Sequence, residues 1–563
     1  MIRARELSIS VEVTDPEKSL GEIWVNDEDD NPVLAPQKMN LLSPTRQKAL
    51  VDDLVAKSEK GIPEVQTIVN RAIADAMREA KAIAPDDPVE NLKKPDQLIH
   101  HFRNQEIQLF HDQNQKAFVA YREPHGRIIE EVRSKFTRVR LAHVSNMNME
   151  EAVSEQSIRT ALNSLEATAI EEGEEHELSF TVAEYENVFF HDLREGRAVQ
   201  ITSERYDVLN DPPILFRKSP HFTPQVEPVS FEEAEVTDLW ELPRLLNLKD
   251  EDNEILFILD LVAGLVPDID KTISILHGSQ GSGKSKAMEF KKRLLEPTNR
   301  HGELLNGSGI NEEDFSVNSS QEMLLCYDNL TSLPIWFSNA LCRFTTGGST
   351  QKRARYTQDE LHFSTSHGIA MLNGINLVAN QPDLLDRSVI YELEPIEDDL
   401  KLTESDLDAS FEAIKSRLLG SMYKALVFAR VGFYKLDIRP IHRLTDWQKW
   451  ITAIGLVLGL SEEEINKALR NNRTLQNSQA IDASVIAQPL IDFIDGKGRF
   501  EGTMGALVDQ LQDFLTDQTP KGFPDRANQF SRRLNEIKPD LKREGIAVET
   551  INKEKRIISI YRE

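Results

Sequence analysis

The chain has 563 residues, of which 40% are hydrophobic, and a formal net charge of −27 at pH 7. No apolar run approaches the ~18 residues of a membrane-spanning helix, we find no signal peptide, and the two cysteines, Cys326 and Cys342, are too few for a disulfide scaffold or a cysteine zinc site. We therefore expect a cytoplasmic protein of roughly three or four domains, in which any nucleic-acid contact depends on local basic patches rather than on total charge.

The first part of the chain mixes strands and helices. Alternating stretches (LSISVEV, then EIWV) and a helical region from Ser43 predict an N-terminal strand/helix extension over residues 1–95, closed by a linker over 84–96 that is rich in proline and charge. Residues 96–228 predict an accessory α/β domain, with strands at KAFVAYR, HELSFTVAEY and ENVFFHDL and a helix at SEQSIRTALNSLEATAI.

Strands and helices alternate in the next part, residues 229–400, which predicts an α/β core. Residues 401–483 form a predicted helical segment, and 484–563 a last domain that ends in the strand RIISIYR. The fold class expected is therefore α/β, with accessory domains on both sides of the core.

A glycine-rich loop opens the core. Residues 278–285 match G-x-x-x-x-G-K-[ST], between the β-branched strand TISIL and a helix-forming segment. Such a loop binds a nucleoside triphosphate because its backbone N–H groups surround the phosphates, Lys284 reaches the outer phosphates and Ser285 offers its hydroxyl to Mg²⁺. The predicted cofactors are ATP and Mg²⁺, and the predicted cofactor-binding residues are Gly278, Ser279, Gln280, Gly281, Ser282, Gly283, Lys284 and Ser285.

A second acid is needed to hold the magnesium. The apolar segment QEMLLCYDNL predicts a strand ending in Asp328, which we interpret as that acid. Asn329 follows, where many ATPases have a glutamate that polarises water. It is interpreted either as a residue that orients water or as the cap of the next turn, so hydrolysis is expected to be slow unless a base lies elsewhere.

Two further polar residues of the core stand beside predicted strands, one at the end of a strand and one before the start of another. Asn373, at the end of HGIAMLNGI, is expected near the terminal phosphate, although an Asn-Gly pair also starts ordinary turns. Arg387 precedes the strand SVIYELEP. It is interpreted either as an arginine that reaches the triphosphate of a neighbouring subunit or as a surface salt-bridge partner.

Two basic segments are candidates for DNA contact. Lys352, Arg353 and Arg355 form a basic cluster between Asp328 and Asn373, interpreted as a hairpin that lines a ring's channel or as a solvated loop. Residues 521–563 carry eleven Lys or Arg against seven Asp or Glu. There a helix followed by two strands resembles a winged helix, which binds DNA or docks on proteins; its basic candidates are Arg532, Arg533, Lys542 and Arg543.

Taken in order, these motifs resemble the AAA+ ATPases, in particular the superfamily-three-like replicative helicases and primase-helicases of phages, plasmids and integrated elements. The phrases DNLTSLPIWFSNALCRFTTGG, MLNGINLVANQPDLLDRS and NQFSRRLNEIKPDLKREGI carry the resemblance, which covers roughly residues 100–563. It implies an AAA+ core, a C-terminal winged-helix-like domain and a hexameric ring that moves on single-stranded or forked DNA. By position it makes Asn373 the sensor and Arg387 the trans-acting finger.

The expected activity is therefore ATP hydrolysis coupled to DNA unwinding in replication of a mobile genetic element, with further replication proteins as possible partners. A regulatory DNA-binding ATPase, in which nucleotide switches assembly without unwinding, is the alternative that Asn329 and the acidic total favour. A phosphate-loop kinase is disfavoured because no acceptor pocket is recognisable. Priming is not supported, since residues 1–95 contain neither a convincing pair of catalytic carboxylates nor a zinc motif.

The channel-loop interpretation predicts the behaviour of a triple variant. Replacing Lys352, Arg353 and Arg355 with alanine should abolish strand movement, because the channel would lose its positive charge, while nucleotide binding stays intact. Unwinding of a forked duplex and binding of a fluorescent ATP analogue measure the two properties separately. Normal unwinding by the triple variant would remove the channel-loop assignment.

Overall fold

The computed structural model describes residues 7–15, 19–29, 31–58, 60–83, 92–123, 126–149, 153–218, 221–299, 304–330, 333–347, 352–353, 361–362, 367–374, 381–396, 402–516, 519–552 and 557–563. The chain forms two compact units. The first comprises Met1–Arg103 and Leu141–Ala161, and the second comprises Asn104–Arg140 and Leu162–Glu563. The bounds of the five predicted segments remain predictions.

The first unit contains a three-stranded antiparallel sheet and helices. In chain order these are β1 (Ser8–Asp15), β2 (Leu20–Asn26), β3 (Pro32–Asn40), α1 (Pro44–Lys57), α2 (Ile62–Ile83) and α3 (Lys94–Arg103). Ile23 and Val25 alternate toward a core shared with Leu54 and Val69, as a half-buried strand requires. The predicted linker is wrong at its end, where α3 begins at Lys94, because a proline in the first turn does not interrupt a helix; its residues 84–91 lie outside the described part of the chain.

Two four-stranded sheets follow, and all of their strands lie in the second unit. In chain order the elements are β4 (Ile107–His111), β5 (Ala117–Glu123), β6 (Gly126–Glu131), α4 (Lys135–Asn148), α5 (Glu155–Glu171), β7 (Glu174–Glu175), β8 (Val182–Tyr185), β9 (Val188–Arg194), β10 (Arg197–Ile201) and β11 (Tyr206–Asn210). The strand predicted over HELSFTVAEY is wrong for its first half. Only 182–185 pair with β9, because Ser179 meets an isolated bridge partner, Phe216, instead of a continuous strand.

A five-stranded parallel sheet forms the centre of the second unit. The elements are α6 (Glu251–Ala263), β12 (Ile273–Gly278), α7 (Lys284–Leu295), β13 (Leu305–Asn306), α8 (Glu312–Ser319), β14 (Leu324–Asp328), α9 (Ile335–Thr345), β15 (Lys352–Arg353), β16 (Leu361–His362), β17 (Ile369–Asn373), α10 (Pro382–Leu385) and β18 (Ser388–Leu393). The strand order is β13-β14-β17-β12-β18. The predicted α/β architecture of this part is confirmed.

The central strands are apolar on both faces because helices cover both sides of the sheet. Leu276 and Met371 join a core with α6 and α7, whereas their neighbours Ile275 and Leu372 join a second core with α9. This explains why apolar residues follow one another directly at Ile275–Leu276 and at 369–372 instead of alternating with polar ones. Their parallel pairing also brings the ends of β12, β14 and β17 to one edge.

Three long helices follow, and the last of them contacts the edge strand β18. They are α11 (Glu404–Phe433), α12 (Thr445–Val457) and α13 (Glu462–Ala483), so the predicted helical segment is confirmed. Asn472 on α13 accepts from Ile390 N at 3.2 Å and donates to Ile390 O at 2.6 Å. Gln476, one turn later, donates to Ser388 O at 2.5 Å. The side-chain amides thus satisfy backbone groups that an edge strand leaves open.

The last part of the chain combines helices with a three-stranded antiparallel sheet of order β19-β21-β20. Its elements are α14 (Ala487–Lys497), β19 (Arg499–Thr503), α15 (Met504–Leu515), α16 (Ala527–Arg543), β20 (Ile546–Asn552) and β21 (Ile557–Arg562). The predicted apolar face of α16 is confirmed, since four of its residues are buried, namely Phe530, Leu534, Ile537 and Leu541. The predicted closing strand is also present.

Two expectations from composition can be compared with the described residues. Cys326 and Cys342 are both buried free thiols, and burial raises the pKa of Cys326 to about 12. Within the described ranges, none of the helices has the length and apolar character that crossing a bilayer requires.

One buried carboxylate connects the elements around the sheet. Asp260 on α6 accepts from Lys291 Nζ at 2.5 Å, Tyr391 OH at 3.0 Å and Trp447 Nε1 at 2.9 Å, and also from Thr272 and Ser274. Burial opposes its charge, but Lys291 and the other donors outweigh that effect and hold the pKa of Asp260 below its usual range. The carboxylate therefore joins α6, β12, α7, β18 and α12.

This network predicts a large cost for removing its charge. Asp260→Asn should lower the free energy of unfolding by about 3–5 kcal/mol, because it leaves Lys291 buried without a counter-charge. Urea unfolding followed by tryptophan fluorescence measures the change, and Trp447 reports directly on the site. The exposed Asp437→Asn is the matched control; equal midpoints for the two variants would contradict the structural importance of Asp260.

Candidate nucleotide and nucleic-acid sites

The glycine-rich loop joins the end of β12 directly to the start of α7. Gly281 and Gly283 have φ angles of +79° and +86°, a left-handed conformation that favours glycine. Gly283 caps α7, and Lys284 is the first helical residue. The loop therefore lies at a helix N-terminus, where unpaired N–H groups and the helix dipole attract an anion.

Lys284 lies folded over this loop. Its Nζ donates to Gly278 O at 2.8 Å and to Ser279 O at 2.6 Å. Burial lowers the pKa of Lys284, and the nearby charge of Asp328 counteracts part of that effect. The ammonium group is therefore held at the loop by carbonyl acceptors that a phosphate oxygen can replace.

Three predicted site residues meet at the carboxyl edge of the sheet. Ser285 Oγ donates to Asp328 Oδ2 at 2.9 Å, and Asn373 Nδ2 donates to Asp328 Oδ1 at 2.5 Å. Asn373 Nδ2 also lies 3.4 Å from Ser285 Oγ. The strand order produces this cluster, because β17 lies between β12 and β14 and ends level with both.

This cluster offers oxygen donors of the kind that Mg²⁺ prefers, namely a carboxylate and a hydroxyl, with room for phosphate and water to supply the rest. In the described part of the chain, no three or more His, Cys, Asp or Glu side chains form a metal-binding group. The donor set therefore fits a magnesium ion that arrives with a phosphate.

Asn329 lies next to the cluster in a left-handed backbone conformation, with φ of +58°. Its backbone N–H donates to Asp328 Oδ1 at 2.9 Å, and the residue is exposed. Asparagine adopts this conformation more readily than most residues. Of the two interpretations of Asn329, the one as a residue of the following turn agrees with this geometry. The hydrogen bond also fixes the orientation of the Asp328 carboxylate.

Arg387 lies at the opposite, amino edge of the sheet. Ile273 pairs with Ser388, and Ile273 N donates to Arg387 O at 3.0 Å, so Arg387 is level with the start of β12. The length of β12, about 17 Å at 3.3 Å per residue, separates it from the phosphate loop of its own chain. Its guanidinium forms an ion pair with Asp383, which also accepts from Arg443 at 2.7 Å.

The predicted hairpin starts from the same amino edge. Lys352–Arg353 pairs antiparallel with Leu361–His362. The segments that lead into and out of it are anchored beside the start of β12 and β17, since Lys271 N donates to Thr345 O and Gly368 N to Phe344 O. The side chains of Lys352 and Arg353, and Arg355 entirely, lie outside the described residues.

The basic residues of α16 are divided by the structure. Arg532 is 85% exposed and lies 3.5 Å from Glu536, whereas Arg533 donates to Gly522 O at 2.8 Å. Arg543 forms an ion pair with Asp540 at 2.9 Å and lies 3.9 Å from Asp386 of the core. Lys542 is exposed. Arg532 and Lys542 are therefore available to solvent, while Arg543 contributes to packing against the core.

Sequence reasoning missed the residue that positions β14. Glu296, fully buried at the end of α7, accepts from Met323 N and Leu324 N at 2.9 Å each and from Lys292 Nζ at 2.8 Å. It thereby fixes the start of the strand whose end carries Asp328. The only sequence signal is the Lys292–Glu296 spacing of four, which ordinarily indicates an exposed helical ion pair.

Comparisons with known proteins give the class of the chain. Residues 239–468 match the family model "Actinomycete integrative conjugative element replication protein", and residues 486–563 match the model "AICE RepA C-terminal domain". The two models describe one kind of protein and together match more than half of the chain. The chain is therefore a replication protein of a mobile element. In these two ranges it is similar to the replication proteins of actinomycete integrative conjugative elements.

The chain was also compared with curated proteins and with solved structures. No curated protein matches the chain. The A form apo structure of the NrS-1 C-terminal region is similar with 11% identity and a TM-score of 0.36, covering 84% of this chain and 99% of that one. A second structure of that region has 13% identity and a TM-score of 0.35, covering 83% and 98%. Both TM-scores are too low to carry an argument.

Proposed function

We propose that this replication protein is an ATP-dependent DNA translocase or helicase with a phosphate-loop AAA+ core. The observation that carries the proposal is the hydrogen-bonded cluster of Ser285, Asp328 and Asn373 beside the glycine-rich loop. Such a cluster suits the hydrolysis of a phosphate anhydride by water with the help of magnesium. The match to replication proteins of mobile elements supports DNA as the substrate on which the energy is used.

In this proposal the loop N–H groups and Lys284 bind the phosphates of ATP, and Ser285 and Asp328 hold Mg²⁺. Asn373 keeps the Asp328 carboxylate oriented and offers its amide toward the terminal phosphate. Asn329 orients water or leaves that task to a base elsewhere. Bound Mg·ATP supplies the electrophilic phosphorus and the leaving group; the chain's residues position them and compensate the charge that develops.

The proposed assembly is a ring, expected to be a hexamer. Arg387 lies at the amino edge of the sheet, away from the glycine-rich loop of the same chain, and the segments that flank the basic hairpin are anchored at that edge. Arg387 is therefore proposed to act on the triphosphate of a neighbouring copy, and Lys352, Arg353 and Arg355 to contact single-stranded DNA. The C-terminal domain is proposed to be a winged helix that binds DNA through Arg532, Arg533 and Lys542.

A second candidate function is a regulatory ATPase, in which nucleotide switches assembly without unwinding. The exposed Asn329, in place of a carboxylate beside Asp328, favours it. Slow turnover with tight nucleotide binding is its signature.

Hydrolysis assays distinguish the two functions. Mg·ATP turnover should rise with single-stranded DNA and be lost in Lys284→Ala, and Asn373→Ala should lower turnover roughly 10²-fold while nucleotide still binds. Unwinding of a forked duplex then tests movement. Tight binding with negligible turnover on single-stranded and forked DNA would reject the translocase in favour of the switch.

The trans arrangement predicts complementation between two inactive variants. Lys284→Ala and Arg387→Ala should each lose about 10³-fold in turnover, but a mixture should regain activity, because mixed rings contain interfaces with both residues intact. Arg443→Ala, which removes the other arginine bound to Asp383, is the matched control and should retain turnover. If mixing at every ratio gives only the sum of the separate activities, Arg387 does not act in trans.

A further inference from the structure

A cavity of about 220 Å³ lies in the accessory part of the second unit, and no residue of the phosphate loop lines it. Its walls come from the start of β6, from the turn between β9 and β10, and from the segments 211–218 and 222–224. A water molecule takes up roughly 30 Å³ in the liquid. The cavity is therefore large enough for a small organic group.

Much of the cavity wall is apolar. Ile128, Leu215, Phe216 and Phe222 line it. The guanidinium of Arg194 lies 3.7 Å from the centre of the Phe222 ring, which gives the site a stacked cationic and aromatic surface. A flat ring can stack on either kind of surface.

Arg194 also offers a hydrogen-bond donor that the protein does not use. Its Nη1 donates to Phe180 O at 3.1 Å and to Asp192, and its Nη2 donates to Thr181 Oγ1 at 3.2 Å. The side chain is only 8% exposed, and its Nε is buried with no acceptor among the described residues. An unsatisfied buried donor destabilises the fold, and an acceptor on a bound ligand would remove that cost.

Arg197, on the other side of the same turn, repeats this feature. Its Nη1 lies 3.4 Å from Glu227, and its Nε is buried with no acceptor in the described part of the chain. The turn between them is a tight hairpin turn, with φ of +55° at Glu195 and +75° at Gly196. It brings the two arginines opposite each other at the ends of β9 and β10.

The charge of the lining indicates the sign of the ligand. Five basic residues line the cavity against three acidic ones, in a chain whose total is −27. Lys218 is exposed at the rim, where it can attract an anion. The Nζ of Lys218 forms an ion pair with Glu130 Oε1 at 3.2 Å.

We propose that this cavity binds one nucleotide unit, with the base against Phe216 and Phe222 and the phosphate at the Nε groups of Arg194 and Arg197. Apolar walls with an aromatic ring suit a base, and two guanidinium groups that line the same cavity suit a phosphate. The nucleotide is either free or one unit of a single DNA strand. The site is independent of the phosphate loop and does not require that the loop bind ATP.

The test uses the full chain carrying Lys284→Ala, so that the phosphate loop contributes little binding. Probes are thymidine 5′-monophosphate, a ten-residue oligothymidylate and inorganic phosphate, with affinities measured by calorimetry. Arg197→Gln removes one donor, and Ile128→Trp fills the cavity. Arg205→Gln changes an exposed arginine outside the cavity and is the matched control. An oligonucleotide with 5-iodouracil maps contacts by cross-linking, without relying on any pocket variant.

The expected result is nucleotide binding that falls at least tenfold in Arg197→Gln and Ile128→Trp but not in Arg205→Gln, with cross-links at Phe216 or Phe222. Comparable binding of the monophosphate and the oligonucleotide identifies a free nucleotide as the ligand, whereas binding of the oligonucleotide alone identifies a DNA strand. The proposal is overturned if neither probe binds, if both pocket variants leave binding unchanged and cross-links fall elsewhere, or if inorganic phosphate binds as well as the monophosphate.

Discussion

The carboxylate of Asp260 is the interaction on which the arrangement of the central sheet depends. This carboxylate belongs to α6 and accepts five hydrogen bonds. It also neutralises Lys291, a lysine with no exposed surface. A buried ion pair is stable only when its remaining hydrogen-bonding positions are filled, and here donors from three other elements fill them. Because Lys291 belongs to α7, the same contact fixes the helix whose first residue is Lys284. The position of the phosphate loop thus follows from a charge buried two helical turns away.

A second buried network links that helix to the accessory sheet. Thr181 donates to Glu296, whose carboxylate also holds the start of β14. His191 on β9 bonds to Leu295 O at 2.8 Å and to Tyr423 at 2.7 Å, and burial lowers its pKa to about 4, so the ring stays neutral at physiological pH. The nucleotide cavity adjoins this network, since Arg194 lies 4.0 Å from Glu296. The accessory sheet and the phosphate-loop helix therefore share one polar core.

The parallel sheet separates two kinds of chemistry. Its carboxyl edge gathers the loop, Asp328 and Asn373, whereas its amino edge carries Arg387 and the origin of the basic hairpin. A parallel strand cannot bring its two ends together, so one chain presents the glycine-rich loop at one edge and Arg387 at the other. Under the proposed function, a second copy supplies the arginine, which makes assembly a condition for activity.

The sequence by itself determined the glycine-rich loop, the central strands of the sheet and the spacing of α16, because these depend on residues close together along the chain. Tertiary structure decided what depends on distant partners. It stopped the strand predicted before Val182 and started α3 inside the predicted linker. It buried Glu296 and Arg194, which read as ordinary surface charges, and turned Arg543 toward Asp386. Burial and strand register depend on contacts between residues that are far apart along the chain. A local sequence pattern therefore cannot predict them.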